Sequence, residues 1–267
     1  MAKRTATAVA PKPSLHRALK IVHRNAVSYR YYWTAIFTGF FEPLFYLGAV
    51  GFGVGQFVGT VPVGGAQVDY ATFLAPGMLA ASTLNGAIAD GFFFPFFKLN
   101  WLKTYEGILA TPLNVPDIAV GEMLWAQLRG TIYSAGFLVV MLALGLIESP
   151  WGILALPAAM LSAGALSAGA MILTGLAKHI TSLEKVMTLV VFPLFLFSGT
   201  FFPVELYPDA LRPIVQVTPL YHSASLLRSL TTGVVGVETL VNLGYLLVMY
   251  VAANLVAIRL MRKRLIA

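Results

Sequence analysis

The sequence predicts an all-α polytopic membrane protein with six transmembrane helices, and three observations carry that prediction. Ser149 to Ala177 is a run of 29 residues without a formal charge, and at ~1.5 Å per residue about 20 helical residues cross a ~30 Å hydrocarbon layer. Similar stretches recur at Trp33–Phe57, Tyr70–Phe97, Gly130–Ile147, Val186–Val204 and Thr239–Ile258. Finally, 58% of the residues are hydrophobic and 11% charged, whereas a soluble domain carries about 25% charged residues. One integral membrane domain, residues 33–260, is expected between a cytoplasmic N-terminal segment, 1–32, and a basic tail, 261–267.

The net charge of +7 is distributed by membrane side. Seven cations precede the first span, Lys98, Lys103 and Arg129 flank the second connection, Lys178 and Lys185 the fourth, and four follow the last span, so that 16 of 18 share one side. Only Arg212 and Arg228 fall opposite. The excess of Lys and Arg on cytoplasmic loops places both termini inside a plasma (inner) membrane and argues against nucleic acid as the partner of this charge. No cysteine occurs, which excludes disulfide and thiolate chemistry. The first apolar run is far longer than a signal-peptide core, so it should remain in the protein.

Ser14–Tyr32 places Leu15, Leu19, Val22 and Ala26 at helical spacing, with Arg17, Lys20, His23 and Arg24 around the other faces. That pattern predicts either an amphipathic interface helix on the inner leaflet, with membrane lipids as its partner and an aromatic belt at Tyr29, Tyr31, Tyr32 and Trp33, or a positive-inside anchor alone. Between spans two and three, Leu99–Leu109 reads as a short cytoplasmic helix with Trp101, Leu102, Tyr105 and Leu109 on an apolar face, suited to docking a soluble partner. Thr111-Pro112 breaks it, and Pro116-Asp117 starts the next helix. After span five, Ile214–Leu227 is too short to span and contains Gln216, Pro219 and His222. An external re-entrant helical segment is the expectation. Small residues in span four, Ala159, Ala163 and Ser167 on one stripe and Ala165 and Gly169 on another, permit close helix approach, within one subunit or between two.

Glu42 falls near the bilayer middle, where a charge costs ~2.5–3.5 kcal/mol on insertion scales. It should face the bundle, a wet cavity or another subunit, as a pathway residue or as a hydrogen-bonded packing residue beside Pro43. Asp90 on descending span two and Arg129 at the foot of ascending span three reach similar depth, and an intramembrane ion pair between them is expected, with Glu122 as a competitor for Arg129 and separate snorkelling of each to water as the alternative. The four histidines form no metal-binding arrangement, no nucleophile–base pattern can be assembled, and no phosphate loop is present, so no catalytic residue, metal or cofactor is expected in this chain. An ion-coupled secondary transporter or channel using Glu42 is the alternative reading.

Three strings then resemble the membrane subunit of type-2 ABC transporters, the exporters of lipid-linked polysaccharides, nodulation lipooligosaccharides and drugs. They are Phe41-Glu42-Pro43-Leu44-Phe45-Tyr46, Tyr105-Glu106-Gly107-Ile108-Leu109-Ala110-Thr111-Pro112-Leu113 leading into Gly121-Glu122, and Phe197-Ser198-Gly199-Thr200-Phe201-Phe202-Pro203 with Pro219 and Arg228 downstream. The nodulation-exporter-like branch is the nearest in character. The resemblance implies a dimer with a second copy or a related permease, and two ABC ATPase subunits that bind ATP and Mg. It implies that Tyr105, Glu106, Leu109, Ala110, Thr111, Pro112 and Leu113 form the coupling helix region and that spans one and five meet across the dimer. It also implies an external gate with Phe201, Phe202 and Tyr221 as closing groups.

Overall fold

A computed structural model describes residues 13–30 and 41–266. Trp33, Tyr31, Tyr32 and the first 12 positions lie outside the described residues. The described chain opens with α1 (Leu15–Tyr29) and resumes in α2 (Phe41–Val58), which contains a π-helical stretch Leu47–Val54. A hairpin of β1 (Thr60–Val63) and β2 (Ala66–Asp69) follows, paired Val61 to Val68 and Val63 to Ala66. The all-α expectation is therefore corrected by one small element. Gly64 and Gly65 turn it with φ of +56° and +87°, a backbone that suits a two-residue hairpin and disfavours other residues.

Helix α3 covers residues 70–100, built from Tyr70–Ile88, a π-helical turn Ala89–Phe93, and Phe94–Asn100. The π turn sits just ahead of Pro95, which has no N–H to give to the carbonyl of Gly91. Thr174 supplies the missing donor, its Oγ1 lying 2.9 Å from Gly91 O. In a lipid environment this repair matters, because no water is at hand to satisfy the carbonyl.

Next come α4 (Thr104–Leu109) and α5 (Val115–Ala143). A 3-10 turn, Pro150–Leu154, leads into α6 (Ala155–Leu176). Helix α7 covers residues 181–197, with a π turn Met187–Val191 ahead of Pro193. The segment after α7 carries a 3-10 turn Val204–Leu206, α8 (Arg212–Gln216) and α9 (Pro219–Thr232). Finally α10 (Val237–Ile266) runs 30 residues, so the expected basic tail forms its last turns.

Among the described residues, four helices are long and apolar enough to cross a membrane: Phe41–Val58, Val115–Ala143, Pro150–Leu176 and Val237–Ile266. Three expected boundaries are corrected. The third apolar helix begins at Val115, well before Gly130, because an Asn114–Asp117 capping box starts it, and it ends at Ala143 before Gly145 at φ +70°. The fifth ends at Phe197, short of Val204, where Ser198 leaves helical geometry and Gly199 turns at φ +71°.

Helix α6 packs on α3, α5, α9 and α10 at the centre of the bundle. The small-residue stripe serves this packing: Ala159 and Ala163 are fully buried. A Cβ on Gly86 would stand 2.7 Å from Gly130 Cα, and one on Gly130 would stand 2.9 Å from Ala163 Cβ. Helices α3, α5 and α6 thus approach backbone to backbone at one level, which only small residues allow.

Candidate functional site

The richest polar chemistry lies where α1 lies against the ends of α3 and α5. Ala18, Ile21 and Asn25 form the buried face of α1. Ile21 and Ala18 fit over Gly121 of α5, where an added Cβ would come within 2.5 Å of Ile21 Cβ and 2.7 Å of Ala18 O. Three acidic side chains then fasten α1. Asp117, which caps α5 by accepting from Asn114 N at 3.2 Å, also accepts from Ser14 N at 2.8 Å and Arg17 Nε at 2.6 Å. One carboxylate therefore caps one helix and tethers another.

Glu122 is fully buried and holds the second tie. Lys98 Nζ, arriving from the end of α3, lies 2.9 and 2.8 Å from its two oxygens, and Asn25 Nδ2 donates at 2.9 Å. Arg24 Nη1 stands 4.0 Å away. Glu122 is thus taken by Lys98, and the expected competition with Asp90 for Arg129 does not occur: the continuous α3 carries Lys98 two turns beyond Asp90, to the level of Glu122. Tyr105 faces the same carboxylate from α4. Burial, reinforced by the Glu122 charge, pushes its phenol well above the ordinary tyrosine value, so Tyr105 stays protonated.

The structure places the α4 region as follows. Tyr105 is 1% exposed and anchors the helix inward. Glu106, Ala110, Thr111 and Pro112 are exposed, and Leu109 and Leu113 are half-buried. Among the described residues, Glu106 pairs only with exposed Lys103, at 3.0 Å. The expected single helix Leu99–Leu109 is corrected: α3 ends at Asn100, and Lys103 breaks the path with φ +51°. That turn separates Trp101 and Leu102, 60% and 70% exposed, from Tyr105, so the four do not share one face.

The third tie joins Asp90 and Arg129, both buried, with Asp90 Oδ2 3.2 Å from Arg129 Nε. Asp90 Oδ1 accepts from Tyr29 Oη at 2.8 Å and Trp125 Nε1 at 2.9 Å. Arg129 hydrogen-bonds Tyr133 and lies 4.3 Å above the Tyr29 ring. Burial first, and then the Asp90 charge, raise the Tyr29 phenol far above its usual value against the opposing pull of Arg129. Tyr29 is a donor here, and sequence reasoning had given it only to an aromatic belt.

The remaining candidates lie apart from this junction. Glu42 is exposed on α2, accepting from Asn85 Nδ2 at 3.3 Å, beside a groove of about 590 Å³ shared with Phe41, Phe45 and Tyr46. Phe201 is buried edge-on to Tyr46 and Phe195, whereas Phe202 is exposed and Tyr221 half-buried. Arg228 ties α9 to α3 and to the turn after α7, donating to Phe73 O at 3.1 Å and Gly199 O at 3.0 Å over the Phe73 ring. Sequence reasoning missed this lock, although one arginine on the sparsely charged side was its signal. His222 bonds Asn242 Oδ1 at 2.7 Å and stacks on Tyr245, with Tyr221 only edge-on. No group of three metal-ligating side chains occurs among the described residues.

Apolar helices of spanning length around a buried polar junction define a polytopic helical membrane protein. The chain belongs to the ABC-2 type transporter family, whose profile matches residues 18–231, and it is therefore a membrane transport subunit. Its relatives include Nodulation protein J of Rhizobium leguminosarum bv. trifolii, 34% identical over 225 residues, or 84% of each chain. Nodulation protein J of Rhizobium meliloti (strain 1021) is 32% identical, again over 84% of each chain. Nodulation protein J of Rhizobium leguminosarum bv. viciae is 33% identical over 84% of this chain and 85% of its own.

Proposed function

We propose that this chain is the permease subunit of an ATP-driven exporter, moving an amphipathic substrate such as a glycolipid, a lipid-linked glycan or a drug across the inner membrane. The observation that carries this reading is the family match, which runs from α1 through α4 to α9. In this reading six helices cross the bilayer, α3 and α7 joining the four long apolar ones, and both termini are cytoplasmic, as the distribution of Lys and Arg favours. Residues 181–197 rise about 25 Å at 1.5 Å per residue, enough for an upright crossing where the bilayer thins locally. Residues 1–32 are the cytoplasmic N-terminal segment, 33–260 the transmembrane domain and 261–267 the basic cytoplasmic tail, and Phe201–Leu227 is an external re-entrant gate with Phe201, Phe202 and Tyr221 as closing groups.

The ATP and Mg belong to two separate ATPase subunits, and a second copy or a related permease completes the path. Helix α4 and the turn after it dock the ATPase through Glu106, Leu109, Ala110, Thr111, Pro112 and Leu113, while the buried Tyr105 anchors α4 against the bundle beside Glu122. A push on α4 then reaches α5 through the buried Tyr105 beside Glu122, and from there α3 and α1, because Glu122 of α5 is bonded to Lys98 and Asn25. ATP shifts the equilibrium between closed and open arrangements only if the ATPase grips α4 differently in the two. The Asp90–Arg129 pair acts as the inner-leaflet pin of this lever, and Glu42, exposed on α2, as a polar group on the path or the subunit seam.

Co-purification tests this reading. The tagged chain, expressed with the ATPase encoded beside it, is expected to retain that ATPase and its vanadate-sensitive ATP hydrolysis, and Leu109→Asp should release it. Transport by the isolated chain under a proton gradient, abolished by Glu42→Gln, would instead establish the ion-coupled reading.

A further inference from the structure

The last turns of α10 carry Arg259, Arg262 and Lys263 around a groove of about 760 Å³ lined also by Val256, Leu260 and Ile266. The opposite face of the helix is already used. Ala257 and Met261 are fully buried, and Arg264 turns inward, donating from Nη2 to Asn100 Oδ1 at 3.0 Å. Leu260 sits directly on Gly175 of α6, where an added Cβ would meet Leu260 Cβ at 2.8 Å. These contacts set the rotation of α10, so that Arg259, Arg262 and Lys263 point away from the bundle.

Among the described residues, none of the three has an acidic partner. Their side of the helix is apolar above them: Val248, Val251 and Leu255, at helical spacing from Arg259, are 69%, 58% and 52% exposed. One stripe therefore passes from bare aliphatic side chains to three unpaired cations within a few turns. Water satisfies only the cations, and an acidic peptide would leave the aliphatic half bare. A molecule with an acyl chain joined to a phosphate fits both halves.

We propose that this groove binds one anionic phospholipid, its phosphate held by Arg259, Arg262 and Lys263 and an acyl chain lying along Val248, Val251 and Leu255. The proposal rests on the reading that α10 crosses the bilayer and ends at the cytoplasmic leaflet. A positive-inside bias alone requires cations anywhere on that side, whereas this site requires these three.

The test reconstitutes the full chain in mixed phosphatidylcholine and phosphatidylglycerol and measures by native mass spectrometry which lipid survives extraction. R259Q/R262Q/K263Q should lower phosphatidylglycerol retention on the order of tenfold, since each surface cation contributes about a factor of five to anionic-lipid attraction and part of that field remains. The charge-preserving R259K/R262K/K263R should keep it, as should K20Q/K178Q/K185Q, which removes an equal charge from exposed positions elsewhere on the same side. Unchanged retention in the first variant, or equal loss in the first and third, would overturn the site. Topology is read separately by labelling Ile266→Cys in this cysteine-free chain: labelling from outside overturns both the orientation and the site, while labelling from inside with unchanged retention overturns the site alone.

Discussion

Asp90 shows how a buried carboxylate is tolerated: a phenol and an indole N–H donate to Oδ1, and the Arg129 guanidinium stands 3.2 Å from Oδ2. Removing one partner of such a pair strands the other charge, which costs about 3–5 kcal/mol in buried settings. Asp90→Asn should therefore lower thermal stability in detergent sharply, and more than Glu106→Gln, whose pair with Lys103 is exposed. Equal, small shifts in both variants would mean that Asp90 is not buried against Arg129. Gly130 makes a second prediction at this scale. Gly130→Leu must force α3, α5 and α6 apart, and overpacking of this kind costs about 1–3 kcal/mol or more, readable as loss of the folded, monodisperse protein. The Asp90–Arg129 contact was legible because both residues can be counted to similar depth along antiparallel helices. The partners of Glu122 were not, because Lys98 reaches it only if α3 continues through its π turn and past Pro95.

At the scale of elements, α1 and α4 are each fastened by one buried face and leave the other free. The amphipathic pattern of residues 14–32 made α1 legible, but the aliphatic stripe behind it is not the face that packs on the bundle: Leu15, Leu19 and Ala26 are exposed and Val22 half-buried, whereas Ala18, Ile21 and Asn25 are buried and Arg17 is bonded to Asp117. Hydrophobic spacing finds stripes of aliphatic residues and has no way to assign a buried asparagine to a glutamate 97 positions away. Helix α4 divides its candidate residues by this rule. Leu109→Asp should leave the permease folded and reduce ATPase binding at least tenfold, measured by co-purification. Tyr105→Ala should instead destabilise the permease itself by about 3–5 kcal/mol, the usual cost of deleting a buried aromatic ring, with Tyr105→Phe much milder. Loss of ATPase binding from Tyr105→Ala in a permease of unchanged stability would contradict the anchoring role.

For the whole molecule, the decisive prediction is topological. With no native cysteine, single substitutions report their side cleanly. Gly65→Cys at the hairpin tip and Asp209→Cys before α8 should react with an impermeant maleimide in intact cells, and Leu102→Cys and Glu184→Cys only after permeabilisation. Any exchange between these two groups would break the six-crossing reading. The hairpin belongs to this scale too, since Gly64 lies where a Cβ would strike Val234 in the loop between α9 and α10. It packs on that loop at one end of the bundle, a contact that a short Gly- and Pro-containing connection did not announce.

Composition, charge distribution and the length of uncharged runs by themselves determined that this chain is a helical membrane protein, because transfer into hydrocarbon depends on the residues of each segment and little on their neighbours. Tertiary structure alone decided which polar side chains meet. It assigned Lys98 to Glu122, Thr174 to the Gly91 carbonyl and Arg228 to the Phe73 and Gly199 carbonyls. The physical reason is that a buried charge or an orphaned carbonyl must find a donor within about 3 Å, and helix rotation, π turns and close glycine contacts set which donor lies within that reach.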